Sequence, residues 1–512
     1  MKIAFRVDSS IHIGSGHISR CTALARALRR KGAEVVFVCA ELHGSHDFIV
    51  QHAGFDVLTV PEGDPKSDAI DTVATLGTQV DWLVVDHYGL GQSWEHDMRP
   101  WCGRILTLDD LANRPHDADV LLDSASPPDP ERYRNLVPAE ALLLLGPRYA
   151  PISSDITDLH SPTRSMDDSP RVLVFFGGSD PTDLTGRTLS ALRHSDLSGV
   201  ATDVVIGASN PHAHSIRQMA TKMPFVTVHD AAPSLAPLLA RNTLGVGAGG
   251  VSMWERMCAG IPSIVVSLAA NQVPSTHGVA SQGVIDYLGP DEAVSSTELH
   301  RALVALLSDP VRRKQMSDQG RVLVDGRGAT RVAEALVPSG PDHFSMRSAT
   351  ESDRDLLFSW ANDPEVRRNA IKQDPIPWSD HVAWFSSRIH NPKTLTYILE
   401  ADGLPVGQVR FELTSESRQG REVAVLDYSL DEVVRGRGLA GRMVCSSVHA
   451  LRKHVNVPVV ADVRTGNVAS LRVLDRVGFI NDTTGLRPGI KHLVLESSQD
   501  CVSNAPYIRV AE

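Results

Sequence analysis

The sequence predicts an α/β protein: two consecutive halves, each a doubly wound parallel sheet, and then a smaller α+β domain. Three observations carry this. Short apolar runs alternate with helical patterns over residues 1–150, and the alternation restarts at Arg171. Each half opens the same way, with a strand, a glycine-rich turn and a helix. Beyond the Pro- and Gly-containing break Val337 to His343, strands follow one another rather than alternating with helices. A chain of 512 residues is too long for one core. The domains read as 1–150, 151–336 and 343–496.

In the first half, the strand Ile3–Val7 leads into Gly14-Ser15-Gly16 and a helix with Ile18, Cys21, Leu24, Ala25 and Leu28 on one face. His17 sits where turn becomes helix. Glycines there let backbone N–H groups approach a ligand, and the helix start attracts anions. A histidine on such a loop is able to take a proton from water. Further strands are expected at Glu34–Cys39, Val57–Val60, Trp82–Asp86, Ile105–Asp109 and Val120–Leu122. Ligands bind beyond the carboxyl ends of such strands, which singles out Asp8-Ser9, Asp86-His87-Tyr88 and Asp109-Asp110. Any one of these aspartates alone reads more simply as a cap or turn residue.

Pro151 to Pro170 is rich in Pro, Ser and Asp and reads as a linker. The second half then opens with Arg171–Phe176, the turn Gly177-Gly178-Ser179-Asp180, and a helix from about Leu184. Strands follow at Val204–Ile206, Phe225–His229, Leu244–Val246 and Ser263–Val266. Between the last two, Gly249-Gly250 enters a helix carrying Ser252 and Glu255. Two glycine-rich helix starts facing a cleft suit a diphosphate, and a carboxylate one turn into the helix suits a ribose diol.

These motifs, in order, resemble a known family. RVDSSIHIGSGHISRC, VVDHYGL, LDDLANRPHDADVLLD, VFFGGSDPTDLT and GAGGVSMWER followed by Asn271-Gln272 are similar to the UDP-2,4-diacetamido-2,4,6-trideoxy-β-L-altropyranose hydrolases of pseudaminic acid biosynthesis. The resemblance runs to about residue 335. It implies a GT-B-type fold related to MurG, and inverting cleavage of a UDP-sugar to free sugar and UDP. His17 then corresponds to the catalytic base, with Tyr88 and Asp8 positioning water or sugar. Gly14, Gly16, Ser179, Asp180, Gly250, Ser252, Glu255, Asn271 and Gln272 would bind substrate. A glycosyltransferase would use the same cleft, with the base activating an acceptor hydroxyl, so a GT-B transferase joined to an acetyltransferase is the alternative.

In the last third, helical patterns lie around Ser352–Asn362 and Ser379–His390, with strands at Thr396–Glu400, Gly407–Leu413, Ala424–Leu430 and Val459–Val463. The turn from Arg435 to Gly441 opens a helix ending at His454, leaving backbone amides to cradle a pyrophosphate. This R-x-x-G-x-A turn, with Asn467-Val468-Ala469-Ser470 and Leu474 to Phe479, resembles the GNAT N-acetyltransferases. SWANDPEVRRN, HVAWF and LPVGQVRF are similar to the GNAT enzyme that acetylates a UDP-4-amino-sugar just before the hydrolase step. The resemblance implies acetyl-CoA as co-substrate, held by Arg435, Gly436, Arg437, Gly438, Ala440 and Gly441, with Asn467 and Ser470 at the pantetheine arm or thioester. Many members carry a tyrosine as general acid where this chain has Leu474, so the acid lies elsewhere, with Ser470 or solvent as candidates. Trp360, Trp384 and Phe385 read as core or substrate-flanking, and Asp427 as an amine base or a structural residue.

Composition bounds the function classes. The net charge of −11 argues against a nucleic-acid partner, and no apolar run reaches membrane-spanning length. Six scattered cysteines without a C-x-x-C fit a reducing compartment, and no metal-ligand spacing occurs. With a strand at the N-terminus in place of a signal peptide, a cytoplasmic, bifunctional, metal-free enzyme acting on a UDP-linked amino-sugar is expected.

Overall fold

The computed structural model describes residues 1–160, 169–230, 234–414, 422–482, 487–502 and 506–511. Its contacts divide the chain into two compact units, Met1–Ala333 and Glu334–Glu512.

The first unit holds two parallel sheets. One comprises β1 (Lys2–Val7), β2 (Glu34–Ala40), β3 (Asp56–Val60), β4 (Val80–Asp86), β5 (Cys102–Leu108), β6 (Val120–Asp123) and β7 (Leu142–Leu145). The other comprises β8 (Arg171–Phe175), β9 (Ala201–Ile206), β10 (Val226–Asp230), β11 (Leu244–Ala248), β12 (Ser263–Ser267) and β13 (Asp286–Pro290). Their spatial orders, β3-β2-β1-β4-β5-β6-β7 and β10-β9-β8-β11-β12-β13, are the same winding used twice. Each has a switch point beside its first strand, where crossovers leave in opposite directions. The central strands are buried on both faces, which is why they read as continuous apolar runs: Ile3, Ala4, Phe5 and Val7 are all 0% exposed.

Two strands of this unit lie outside the sequence reading. β13, DYLGP, contains Gly and Pro and sits at a sheet edge, where no alternation is needed. β7 is an edge strand of four leucines. The linker expected at Pro151 to Pro170 is in part core. Ile152 and Ile156 are buried against the second sheet, and Ser154–Thr157 is helical. The remainder, 161–168, lies outside the described residues.

The second unit is a mixed sheet: β14 (Phe344–Ser348), β15 (Thr394–Ala401), β16 (Leu404–Thr414), β17 (Val423–Leu430), β18 (Val459–Arg464), β19 (Ile480–Asn481), β20 (Ile490–Leu495) and β21 (Arg509–Val510). Its order is β19-β20-β18-β17-β16-β15-β14-β21. The extension beyond residue 496 is therefore part of the fold, because β21 pairs in parallel with β14 at the sheet edge. A two-residue strand carries no readable period, so the sequence left it blank.

Candidate active sites

Val7 and Asp86 are register partners at the carboxyl ends of β1 and β4. The chain leaving β1 turns back through Gly14, whose φ of +79° is left-handed and whose N–H donates to the Ser10 carbonyl at 2.8 Å. The helix Gly16–Arg30 starts directly over the strand ends. His17 and Arg20 are three residues apart on that helix, so both reach the same neighbour. That neighbour is Asp86, 1% exposed. His17 Nδ1 lies 2.5 Å from Asp86 Oδ1, while Arg20 donates to Oδ2 at 2.7 Å and to Oδ1 at 2.6 Å. Burial alone would raise the Asp86 pKa, but Arg20 and His17 hold it well below the usual carboxylate range. A carboxylate only accepts, so the short contact places the imidazole proton on Nδ1 and leaves Nε2 as the basic nitrogen.

Tyr88 completes the cluster. Its ring stands edge-on to His17, with centroids 4.7 Å apart, and its hydroxyl donates to Asp110 Oδ1 at 3.0 Å. Burial and Asp110 raise the phenol pKa, so Tyr88 stays protonated. Arg20 reaches Asp110 as well, at 3.3 Å.

The second half of the unit meets this cluster. Asn271 Nδ2 donates to Tyr88 Oη at 2.9 Å. A Cβ on Gly16 would lie 3.6 Å from Val251 Cγ2, so the starts of helices Gly16–Arg30 and Val251–Cys258 face each other. A Cβ on Gly250 would lie 3.5 Å from Gln272 Nε2, and Gln272 Oε1 accepts from the Leu268 N–H at 3.0 Å. Ser252 Oγ accepts from Arg256 at 3.1 Å. One turn further, burial pushes the Glu255 carboxyl up to about 7, with Arg256 acting against it. Next to Ser179, a Cβ on Gly178 would lie 4.0 Å from His46 Nε2 of the first half. His17, Tyr88 and Asn271 are thus in contact, the helix starts at Gly16 and Val251 face each other, and Gly250 lies beside Gln272, with Gly14 and Ser252 in the adjoining turns.

Two expected site residues are committed elsewhere. Asp8 is held by protein groups: it accepts from Arg6 and from the Ala40 N–H, and lies 3.2 Å from His87 Nε2. Its backbone-anchoring role follows from burial beneath the rim, at 4% exposed. Asp180 is 1% exposed and caps the next helix, accepting from Leu184 N and Thr185 N at 2.9 Å each. Conversely, Asp86, Arg20 and Asp110 belong to the site without having been assigned to it. The strand-end signal that marks Tyr88 also marks both aspartates, and Arg20 lies one turn from His17.

In the second unit, β17 and β18 pair in parallel only at Ala424 with Val459 and Val425 with Val460. Beyond these pairs the strands part, and residues from Leu426 onward line a wedge between them. β17 continues into a turn where Gly436 and Gly438 take φ of +77° and +74° with open space around them. The helix Leu439–His454 starts there, with Ala440 and Gly441 in its first turn. Successive amides in such a turn form an anion-binding nest in line with the helix dipole. Wedge and nest together fit a thioester arm ending in a pyrophosphate.

The arginine side chains of this turn are not free for that ligand, contrary to expectation. Arg435 is bound to Asp363 at 3.1 Å, Glu365 at 3.0 Å and the Leu430 carbonyl at 2.9 Å. Arg437 is bound to the buried Glu334 at 2.7 Å. Both arginines fix the turn, and its backbone is what faces outward. Asn467 is likewise engaged, its Oδ1 accepting from Ser470 N at 3.1 Å as the cap of helix Val468–Arg476. Trp360 and Phe385 are core, 3% and 5% exposed, while Trp384 carries the Arg410 guanidinium 4.7 Å above its ring. Asp427 accepts from Gln408 and pairs with Arg410 at 3.3 Å.

Comparison with known proteins places these units. Residues 343–480 match the acetyltransferase (GNAT) domain family. An uncharacterized protein of Methanocaldococcus jannaschii is 23% identical over 502 residues, 94% of this chain and 96% of that protein. The spore coat polysaccharide biosynthesis protein SpsG of Bacillus subtilis is 28% identical over 40% of this chain and 61% of its own length. The UDP-2,4-diacetamido-2,4,6-trideoxy-β-L-altropyranose hydrolase of Campylobacter jejuni is 28% identical over 43% of this chain and 74% of its own. The crystal structure of MurG from Acinetobacter baumannii aligns with 66% of this chain and 99% of that one, at 12% identity and a TM-score of 0.46. The fold class is the α/β one read from the sequence, a pair of Rossmann-type parallel sheets followed by an α+β domain that matches the GNAT acetyltransferase family. Among the described residues, no helix is long and apolar enough to cross a membrane.

Proposed function

We propose that this chain is a bifunctional cytoplasmic nucleotide-sugar enzyme. Its second unit N-acetylates a UDP-4-amino-4,6-dideoxy-sugar with acetyl-CoA. Its first unit then hydrolyses the UDP-2,4-diacetamido-2,4,6-trideoxy-sugar to free sugar and UDP, with inversion. The observation that carries this reading is the His17–Asp86 contact of 2.5 Å at a cleft-facing helix start.

The chemistry needs a base for water on the face of the sugar opposite the leaving group. His17 Nε2 takes the proton from water, and Asp86 stabilises the imidazolium through Nδ1–H while holding the ring in the right tautomer. Tyr88, gripped by Asp110 and Asn271, presents a polarised hydroxyl beside the ring and orients water or sugar. UDP leaves as an anion and needs little acid assistance. The N–H groups at Gly250 and Val251 and at the Gly177-Gly178 turn offset its growing charge, and Ser252, Gln272 and Glu255 hold the nucleotide. In the second unit the turn from Arg435 to Gly441 and the residues Asn467 and Ser470 hold acetyl-CoA, which supplies an activated acetyl group. Asp427 is placed to take the proton released by the amine.

The test is UDP release from the UDP-4-amino-sugar with and without acetyl-CoA. Release only when acetyl-CoA is present supports two sequential sites. Acetylation without UDP release, or UDP release only after a sugar acceptor is added, would move the first unit to glycosyl transfer.

A further inference from the structure

Tyr88 is 38% exposed, so core packing does not fix where its hydroxyl stands. Its place depends on two loops, one leaving β4 with Tyr88 and one leaving β5 with its acceptor Asp110. A single side chain ties these loops together. Arg114 Nη2 donates to the His87 carbonyl at 3.0 Å and Nε to the Leu90 carbonyl at 3.1 Å, on either side of Tyr88. Its Nη1 donates to Asp109 Oδ1 at 3.0 Å, one residue before Asp110. A fourth hydrogen bond, to Asn113 Oδ1 at 3.2 Å, stays within its own loop. Asp109 is itself anchored: its side chain is buried, Oδ2 accepts from the Ala112 N–H at 2.8 Å, and its N–H donates to the Leu122 carbonyl at 3.1 Å. The three acceptors surround one planar group, which suits the rigid donor fork of a guanidinium better than the point charge of an ammonium. Water could satisfy both carbonyls at the rim, but it would not fix their distance from Asp109.

We propose that Arg114 is a positioning residue for cleavage of the UDP-sugar: it holds the Tyr88 loop and the Asp110 loop at one separation, so that the Tyr88 hydroxyl stands beside the His17 ring. This rests on the reading of the first unit as a UDP-sugar hydrolase. Arg114 exchanges no proton in the reaction and acts only through the residues it places. Tyr88 reaches Asp110 Oδ1 at 3.0 Å, and its ring meets His17 edge-on with centroids 4.7 Å apart. Both contacts change together when the two loops drift, and a misplacement of about 1 Å costs on the order of 10²-fold in rate. In the same reading UDP is held by the second half of the unit, away from this clamp. The loss therefore falls on kcat and leaves KM nearly as it is.

The experiment measures hydrolysis of the UDP-2,4-diacetamido-sugar by full-length wild type, Arg114→Ala, Arg114→Lys, Tyr88→Phe and the double variant Arg114→Ala/Tyr88→Phe. Rates are taken per UDP-binding site, so unfolded protein does not count as lost activity. Arg114→Ala should lower kcat roughly 10- to 100-fold, with KM within about threefold of wild type. Free guanidinium at low concentration should restore part of that loss, whereas Arg114→Lys, which keeps the charge but not the fork, should stay at least about fivefold slow. The double variant should lie within about twofold of Tyr88→Phe, because both changes remove the same placement. Arg114→Lys, alone and with Tyr88→Phe, carries the same comparison if Arg114→Ala does not fold. A loss in the double variant equal to the product of the single losses, or a rise in KM at unchanged kcat, overturns the inference alone. A wild-type protein that releases no UDP overturns the reading of the first unit, and this inference with it.

Discussion

Around His17 the contacts are made by side chains: one buried carboxylate, Asp86, is shared by a histidine and an arginine, and a tyrosine is gripped from both halves of the unit. At Arg435 to Gly441 the arrangement is reversed. There the charged side chains are turned into carboxylates, and two glycines with positive φ leave the backbone facing outward. In the first cluster each charge offsets another out of water, whereas in the second the side chains fix a turn whose backbone amides are left for a ligand. A base has to be placed and tuned, whereas a pyrophosphate needs only fixed dipoles.

That contrast breaks first at Asp86. Asp86→Ala leaves Arg20 buried without its main partner and His17 without its tautomer-setting contact. Stability should fall by about 3–5 kcal/mol, as for a broken buried pair. UDP release should fall by roughly 10³-fold or more, as for loss of the carboxylate behind a catalytic histidine. Denaturant unfolding and a UDP-release assay check the two effects. Acetylation should survive wherever the variant is folded.

A smaller effect is expected at the seam between the halves. Asn271→Ala removes one neutral hydrogen bond to Tyr88 and should lower kcat for UDP release about tenfold, the equivalent of 1–1.5 kcal/mol. Gly438→Val is the matching probe of the other site. It forces a β-branched residue to φ of +74° and should raise the KM for acetyl-CoA about tenfold, leaving UDP release unchanged. An unchanged KM for acetyl-CoA in Gly438→Val would contradict a backbone-built site.

The last of these effects is read in pH. Burial pushes the Glu255 carboxyl up to about 7 from its ordinary value of 4.5. The folded protein then binds more protons here than the unfolded chain, so stability falls as pH rises through the window from about 4.5 to 7. Glu255→Gln should flatten thermal stability across that window, and an unchanged slope would contradict the burial assigned to this group.

These contrasts also mark what the sequence made legible. Glycine spacing and strand-end position are local, so the turns at Gly14, Gly250 and Gly438 and the rim residues His17 and Tyr88 were readable. Pairing is not local. Whether Asp8 or Asp86 faces His17 depends on which strands are neighbours, and β1 pairs with β4 across a separation invisible to periodicity. The same limit hid the capture of Arg435 by Asp363 and Glu365, and the burial of Ile152 and Ile156 within a stretch that reads as linker. Edge elements such as β13 and β21 escaped because edges need no buried alternation.

The most direct test of the central claim is hydrolysis of the already N-acetylated UDP-2,4-diacetamido-sugar by wild type and His17→Ala, with UDP affinity measured on both. Wild type should release UDP without any acceptor. The variant should lose roughly 10³-fold or more, as for removal of the base from a catalytic pair, with UDP binding kept. Release by His17→Ala within a few-fold of wild type would contradict it, because Asp86 would then be holding a histidine that does no chemistry.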